Sequence, residues 1–512
     1  MCKANLFMNR LAEILKQWPL HLILLPFFFI CHKYFRFTEL LDNSEIAIAF
    51  LKIIVGITIF SLLLNWLLKP YSKAAIISTF AGTMILFFGD IKYSLSRLPV
   101  IEHISHYKIF VPLTLSISAL VVYKLWRSQK LKKTTAFLNI LFFLYLGLDF
   151  YIYFFHTPNK IITISSTPPL PINTQTTKDK NSFPDIYYIL TDCYPSGSYQ
   201  QEMLGISGNY LETTLFNKGF YIVNNSTSNY NKTAFSMAST FGMDYFNGTD
   251  SAYQVTPFDY NEAMGLVKKA PIFSFFKKNN YSLYNLSIFD LPDQPALQKE
   301  FFLTTSTTEL IFYNTFWNCV LRDILPQAIP SYFDIMKKAE NIKIQKKQSV
   351  KKTYNKTLLD SLAKFPESVK YKSPLFIYAH LGMPHFPYFY DSVGKAYPNE
   401  VIFNDSMITD KNKFANYIVY TNHKLEELVS GLLKKTEGKA VIIIQSDHGV
   451  GDFDWSRKKD GFRNISAFYF PDKDYHLLYP KMSNVNTFRI LLNKYMGQQL
   501  PLLKDSTIFL ID

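Results

Sequence analysis

Residues 440–449 read AVIIIQSDHG. The short apolar run, rich in β-branched residues, suits a strand buried on both faces, as in a parallel sheet. It stops at Gln445 and Ser446 and delivers Asp447, His448 and Gly449. Two stretches further upstream share this design. PDIYYILTD at 184–192 carries an apolar run into Thr191 and Asp192. LFIYAH at 375–380 ends in His380 and leads through Gly382 to Pro384, His385, Phe386 and Pro387. Between LFIYAH and AVIIIQ, Phe414, Tyr417, Ile418, Leu425, Leu428, Val429, Leu432 and Leu433 recur at helical spacing. Strand, helix and strand in that order predict an α/β domain with a mainly parallel central sheet.

In open α/β sheets, ligands bind beyond the carboxyl ends of the strands. Asp192, His385, Asp447 and His448 are therefore expected to converge. A single strand-end aspartate is more often a turn or a helix cap, but three strands ending in potential ligands favour one shared site. Two carboxylates and an imidazole form a hard-to-borderline donor set, suited to Mn²⁺ or Zn²⁺ and less to Mg²⁺. Such a site leaves a position open for a reacting oxygen. The candidate lies in NNSTSNYNKTAFSMASTFGMDY, residues 224–245. The stretch up to Lys232 reads as loop, and Ala234 to Phe241 suits a short helix. Thr233 then opens that helix, where backbone N–H groups favour anions. A helix-capping threonine would occupy the same place, and spacing alone does not separate the two readings.

The first third of the chain follows different physics. Apolar runs cover Leu20–Cys31, Ile46–Leu68, Ala74–Phe88, Phe110–Leu125 and Ala136–Phe155. A membrane helix needs about 20 apolar residues, so five spans are expected, the short first run being the weakest. Lys3, Arg10 and Lys16 precede the first run, and Lys69 and Lys73 follow the second. Lys124, Arg127, Lys130, Lys132 and Lys133 lie between the fourth and fifth, with no acid among them. The positive-inside rule puts these segments in the cytoplasm and everything after Phe155 outside it. Residues 157–183 are polar, Thr-rich and broken by Pro, as in an extended tether. The expected division is a transmembrane helical domain over 1–156, a linker over 157–183 and a catalytic domain over 184–512.

Composition agrees with this division. Of the 512 residues 48% are hydrophobic and 17% aromatic, too apolar for a disordered chain. The net charge of +14 comes with no basic-aromatic nucleic-acid module, so lipid surface is the expected partner and nucleic acid is not. Lys337 to Lys352 carries seven Lys and one Glu; it reads as a solvated helix face or as a contact for anionic headgroups. Cys2, Cys31, Cys193 and Cys319 show neither metal-knuckle nor disulfide-framework spacing.

Four motifs in this order resemble the sulfatase-like branch of the alkaline phosphatase superfamily. They are PDIYYILTD, NYNKTAFSMAST at 229–240, MPHFPY at 383–388 and VIIIQSDHG at 441–449. That branch includes sulfatases, lipoteichoic acid synthases and phosphoethanolamine transferases. The resemblance implies one divalent metal held by Asp192, Asp447, His448 and the nucleophile Thr233, with His385 contacting the phosphate or sulfate. His380, and Arg463 in GFRNISAFYFP, are its implied substrate-side neighbours. The C/S-x-P-x-R motif of common sulfatases is replaced by T-A-F-S-M, which argues for a threonine attacking phosphorus directly. Residues 450–470 lack the further histidine that transferases of the group often carry. The expected activity is transfer of a phospholipid head group to a glycan or lipid acceptor through a phospho-threonine. Phosphodiester or sulfuric ester hydrolysis at the same site, or a non-catalytic membrane scaffold, are the alternatives.

Overall fold

A computed structural model of the chain describes residues 13–96, 98, 102–155, 183–206, 210–247, 253–298, 307–329, 338, 342, 349–364, 374–402, 409–450 and 457–511. The expected linker, up to residue 182, and most of the Lys-rich segment 337–352 lie outside them. The chain divides into two units, Met1–Asn159 with Thr305–Glu340, and Lys160–Thr304 with Asn341–Asp512.

The first unit is helical: α1 (His21–Arg36), α2 (Asn43–Leu67), α3 (Tyr71–Leu86), α4 (Phe88–Ser96), α5 (Tyr107–Arg127) and α6 (Leu131–Phe155). Helices α2, α5 and α6 are long and apolar enough to cross a membrane, and α3 with α4 form a pair bent by 57° that passes the same test together. Among the described residues this gives three or four helices of crossing length, where the apolar runs suggested five. The difference is α1: its 16 residues rise about 24 Å, short of a hydrocarbon core of about 30 Å. Asp42 starts α2, its carboxylate accepting from the Ser44 and Glu45 N–H groups. Two acids of this unit have nitrogen partners on other helices, as a low-dielectric surrounding favours. Lys33 Nζ meets Asp90 Oδ2 at 2.9 Å and His32 Nδ1 meets Asp149 Oδ2 at 3.1 Å.

The division differs from the expected one at residues 307–329, which belong to the helical unit. The Thr308 N–H donates to Glu45 Oε2, the Asn314 amide to Asp90 Oδ1 and the Tyr107 hydroxyl to Asp323 Oδ2. Ile311 is buried in a cluster with Leu25, Phe29 and Leu41. Each partner lies more than 200 residues away in the sequence, which is why local patterning did not reveal the attachment.

The second unit is built on six strands: β1 (Ile186–Asp192), β2 (Tyr221–Ile222), β3 (Ser282–Leu286), β4 (Leu375–Pro384), β5 (Val441–Ser446) and β6 (Ser466–Tyr469). The spatial order is β2-β6-β5-β1-β4-β3. β5, β1, β4 and β3 run parallel, while β6 and β2 are antiparallel at one edge. Every residue of β1, β4 and β5 is buried, as expected for strands covered on both faces. β1 is central, pairing Leu190 with His380 on one side and Thr191 with Ser446 on the other. This register brings the carboxyl ends of all three strands level.

Helix α7 (Thr233–Gly242) is buried along its whole length. Residues 349–364 form α8, and α9 (Lys411–Lys435) buries all the expected apolar positions except Leu433, together with Thr421 and Asn422. Helix α10 (Thr487–Met496) supplies Arg489, which is almost fully buried. Its Nε and Nη2 donate to the Met243 carbonyl at 2.8 and 2.6 Å, and Nη1 donates to the Pro501 carbonyl. Met243, at φ 56°, is the residue that closes α7. Burial lowers the guanidinium's pKa, opposed by the Asp244 carboxylate. Arg489→Met strips both carbonyls of their donors. We expect it to cost about 2–3 kcal/mol and to lower the melting temperature; an unchanged melt would show that α7 is anchored by other means.

Candidate functional site

β1 and β5 end side by side, and their terminal loops interlock. The Asp447 side chain is fully buried. Its Oδ1 accepts from the Cys193 N–H at 3.0 Å, the His448 N–H at 2.9 Å and the Ser446 hydroxyl at 3.3 Å. Its Oδ2 has no hydrogen-bond partner. Asp192 is also buried, and its Oδ1 is likewise without a partner. His448 Nδ1 stands 2.7 Å from the Gly449 carbonyl. That bond fixes Nδ1 as the donor and turns the Nε2 lone pair toward the carboxylates.

One ligand atom from each of Asp192, Asp447 and His448 lies within 4.8 Å of the others. Buried carboxylate oxygens without donors are costly unless a cation faces them. The donor set therefore fits one divalent metal ion. Burial pushes the Asp192 carboxyl up, but His385, His380 and His448 outweigh it, and the group is held well below the usual carboxylate range. Ionised and pointed at its neighbours, it is ready to act as a ligand.

Thr233 Oγ1 lies 3.2 Å from His448 Nε2. The threonine is the first residue of α7 and does not cap it; that position belongs to Lys232, which makes no side-chain cap bond. The first turn's N–H groups thus face the site without a capping side chain. Neighbouring hydroxyls are committed elsewhere. Ser236 donates to the Asp447 carbonyl at 2.5 Å and Ser228 to the Tyr230 carbonyl at 3.0 Å, both fully buried.

The remaining expected residues fall into three groups. His385, half-buried, leaves the end of β4 with Nδ1 2.6 Å from the Phe386 carbonyl, leaving Nε2 for a ligand. His380 is fully buried. Its Nδ1 faces the Tyr378 hydroxyl at 3.1 Å, and its Nε2 lies 3.7 Å from Asp192 Oδ2. It therefore sits behind the aspartate, out of reach of a substrate. Arg463 is held by Glu202 Oε2 at 2.8 Å and Asp460 Oδ1 at 3.2 Å, and it donates to the Ser198 hydroxyl. Arg457 shares Glu202 and Asp460, so Arg463 is a structural tie in this arrangement. The sequence reading missed Ser236, Cys193 and Ser446 as supports of Asp447. Only Ser446, inside the SDHG run, carried a signal.

A chain with a mainly parallel α/β sheet, paired carboxylates and an imidazole at the strand ends, and a helix-borne hydroxyl beside them has the architecture of the alkaline phosphatase superfamily. The family model described as Sulfatase matches residues 184–488, well over half of the chain, and the protein belongs to that family. No curated protein sequence matches. Among solved structures, the chain is similar to the integral membrane lipooligosaccharide phosphoethanolamine transferase A of Neisseria meningitidis, with 12% identity, 92% of this chain and 95% of that one covered, and a TM-score of 0.38. It is also similar to the C-terminal periplasmic domain of EptC from Escherichia coli, with 14% identity, 67% and 93% covered and a TM-score of 0.37. A protein of Bacteroides fragilis inferred to be a sulfatase shares 11% identity over 65% and 78%, with a TM-score of 0.37. Such values are too low to carry an activity across.

Gly449 lets the loop after β5 pass close to the backbone of residues 460–463. A Cβ there would stand 2.3 Å from the Asp460 carbonyl oxygen and 2.6 Å from that of Arg463. Both are backbone atoms, so the loop bearing Asp447 and His448 has to shift. Gly449→Ala is expected to destabilise by about 1–3 kcal/mol. Gly431→Ala in α9, whose Cβ meets nothing within 4 Å, should instead gain about 0.5–1 kcal/mol. Comparison of the two melting temperatures checks the pair, and equal shifts would refute it.

Proposed function

We propose that the protein is a membrane-anchored, metal-dependent phosphotransferase that moves a phospholipid head group to a glycan or lipid acceptor by way of Thr233. The observation that carries this reading is the Thr233 hydroxyl, 3.2 Å from His448 Nε2 and beside two carboxylate oxygens that lack donors. Asp192, Asp447, His448 and Thr233 would hold the ion, Zn²⁺ or Mn²⁺ suiting a set that includes an imidazole. When bound, the metal supplies positive charge that lowers the pKa of a neighbouring hydroxyl and offsets charge on phosphoryl oxygens.

Thr233 Oγ attacks phosphorus and loses its proton to solvent, and the lipid alcohol leaves after taking one up. The phosphoryl group is then an ester of Thr233. The acceptor hydroxyl attacks the same phosphorus, and the Thr233 oxygen regains a proton. The N–H groups of the first turn of α7 donate to the non-bridging oxygens as their charge grows, with the His385 ring beside the same strand ends. Transfer to water at this centre would make the protein a phosphodiesterase. Direct attack by threonine is favoured over sulfatase chemistry because T-A-F-S-M stands where formylglycine formation needs Pro and Arg.

The Lys/Arg distribution supports an extracytoplasmic catalytic unit. The segment between α5 and α6 holds Arg127, Lys130, Lys132 and Lys133 in or beside it and belongs in the cytoplasm. The α6 helix then exits on the far side, whatever the number of earlier crossings.

Thr233→Ala should abolish turnover, while Ser236→Ala should retain the covalent adduct. Peptide mass spectrometry after acid quench with a phospholipid donor reads the outcome. An adduct on another residue, or full activity in a folded Thr233→Ala variant, would remove Thr233 from this role. Asp447→Asn should leave the purified protein with little metal by elemental analysis, and wild-type metal content in that variant would sink the metal assignment.

A further inference from the structure

Helix α8 is pinned to the second half of β4. The Tyr354 hydroxyl donates to the His380 carbonyl at 2.7 Å, and Asn355 Oδ1 accepts from the Gly382 N–H at 2.8 Å. Between α8 and α9 lies a cavity of about 620 Å³, within the range of small-molecule sites. Its buried wall is apolar, with Met383, Phe389, Leu428 and Leu432, and Leu359 lies partly open beside them. Its outer lining carries Lys352, Lys356, Lys424 and Lys435 against Asp360 and Glu427.

Several details say that something anionic and partly apolar belongs there. Lys352 and Lys356, one turn apart, pair with no carboxylate among the described residues. The Lys352 ammonium lies over the Tyr390 ring at 5.0 Å and that of Lys424 over Tyr420 at 5.8 Å. The two tyrosines stack at 4.6 Å, so the cations rest on a fixed aromatic support. Asn355 is buried, its Oδ1 held by the Gly382 N–H and its amide beside the Tyr417 hydroxyl, so it fixes the polar end of the cavity wall. Gly431 in the interior of α9 also lines the cavity, and nothing lies within 4 Å of where its Cβ would be. Helix interiors disfavour glycine, and packing gives no reason for it here; its effect is to keep the space clear.

We propose that this cavity binds one phosphate-bearing lipid. The anionic head group lies beside Lys352 and Lys356, since Lys424 already pairs with Glu427 at 2.9 Å, and the acyl part lies along Leu359, Leu428 and Leu432. Met383 and Phe389 bracket His385 in the sequence, so the cavity and the metal-ligand site share one segment of chain. The assignment does not depend on the reaction proposed above.

The test is native mass spectrometry of the full chain in a non-ionic detergent, titrated with dihexanoyl phosphatidylglycerol. Dihexanoyl phosphatidylcholine and glycerol 1-phosphate serve as probes lacking the net charge and the tail. The expected result is one phosphatidylglycerol adduct bound about tenfold more tightly than either control. Gly431→Phe, which fills the cavity, and the double variant Lys352→Glu/Lys356→Glu should each weaken it about tenfold or more. Excess EDTA should leave this binding unchanged, which separates the site from the metal-ligand site. Undiminished binding in a folded Gly431→Phe variant would place the lipid elsewhere and overturn the proposal. Equal binding of glycerol 1-phosphate would overturn it too, because the site would then recognise phosphate alone.

Discussion

A carboxylate with no exposure to water costs several kcal/mol unless it is fully provided for, and the arrangement around Asp447 is organised to meet that demand. Two backbone N–H groups and a hydroxyl converge on Oδ1. To supply the first, the chain beyond β1 turns at Cys193 through a left-handed conformation, φ 62°. To supply the others, Ser446 must finish β5 level with Thr191. A slip of one residue between these strands would reverse every side chain of one of them, carrying the aspartate to the wrong face. Sheet register and site geometry are therefore a single constraint.

The same constraint reaches α7. Ser236 ties the helix to the Asp447 carbonyl at its start, and Arg489 ties its end to α10. A hydroxyl at the first position of a helix secured at both ends has little orientational freedom to lose. Its placement comes from the supports beneath the site, which matter as much as the residues that face it.

The strands were legible because burial on both faces leaves continuous runs such as IYYIL and VIII, and because each run ends abruptly in polar residues. The convergence of Asp192, Asp447 and His448 followed from the rule that strand ends collect ligands. The sequence was less informative wherever one residue type serves two ends. His380 and His385 stand five apart, yet the first lies inside β4 beneath Asp192 and the second leaves its end. Arg463 looks like an anion ligand until Glu202 and Asp460 are seen to occupy it. The first apolar run forms a helix of 16 residues, a length that hydropathy does not report because it does not fix where a helix begins and ends. The attachment of residues 307–329 to the helical unit rests on polar bonds spanning more than 200 residues, beyond any local pattern.

The central place of β1 has a consequence for synthesis. It is the first strand of its unit to be made, and its partners come late. Leu375, at the start of β4, donates to Asp185 across 190 residues, and Asp447 meets Cys193 across 254. At about 5–20 residues per second, roughly 10 to 50 seconds pass before both neighbours exist. For that interval an apolar, β-prone segment waits with both edges bare, the kind of segment that seeds aggregation. Asp185 and Asp192 flank it. Charges in those positions act as gatekeepers against intermolecular pairing, so the carboxylate that ends up beside Asp447 and His448 also guards the edge of the unpaired strand.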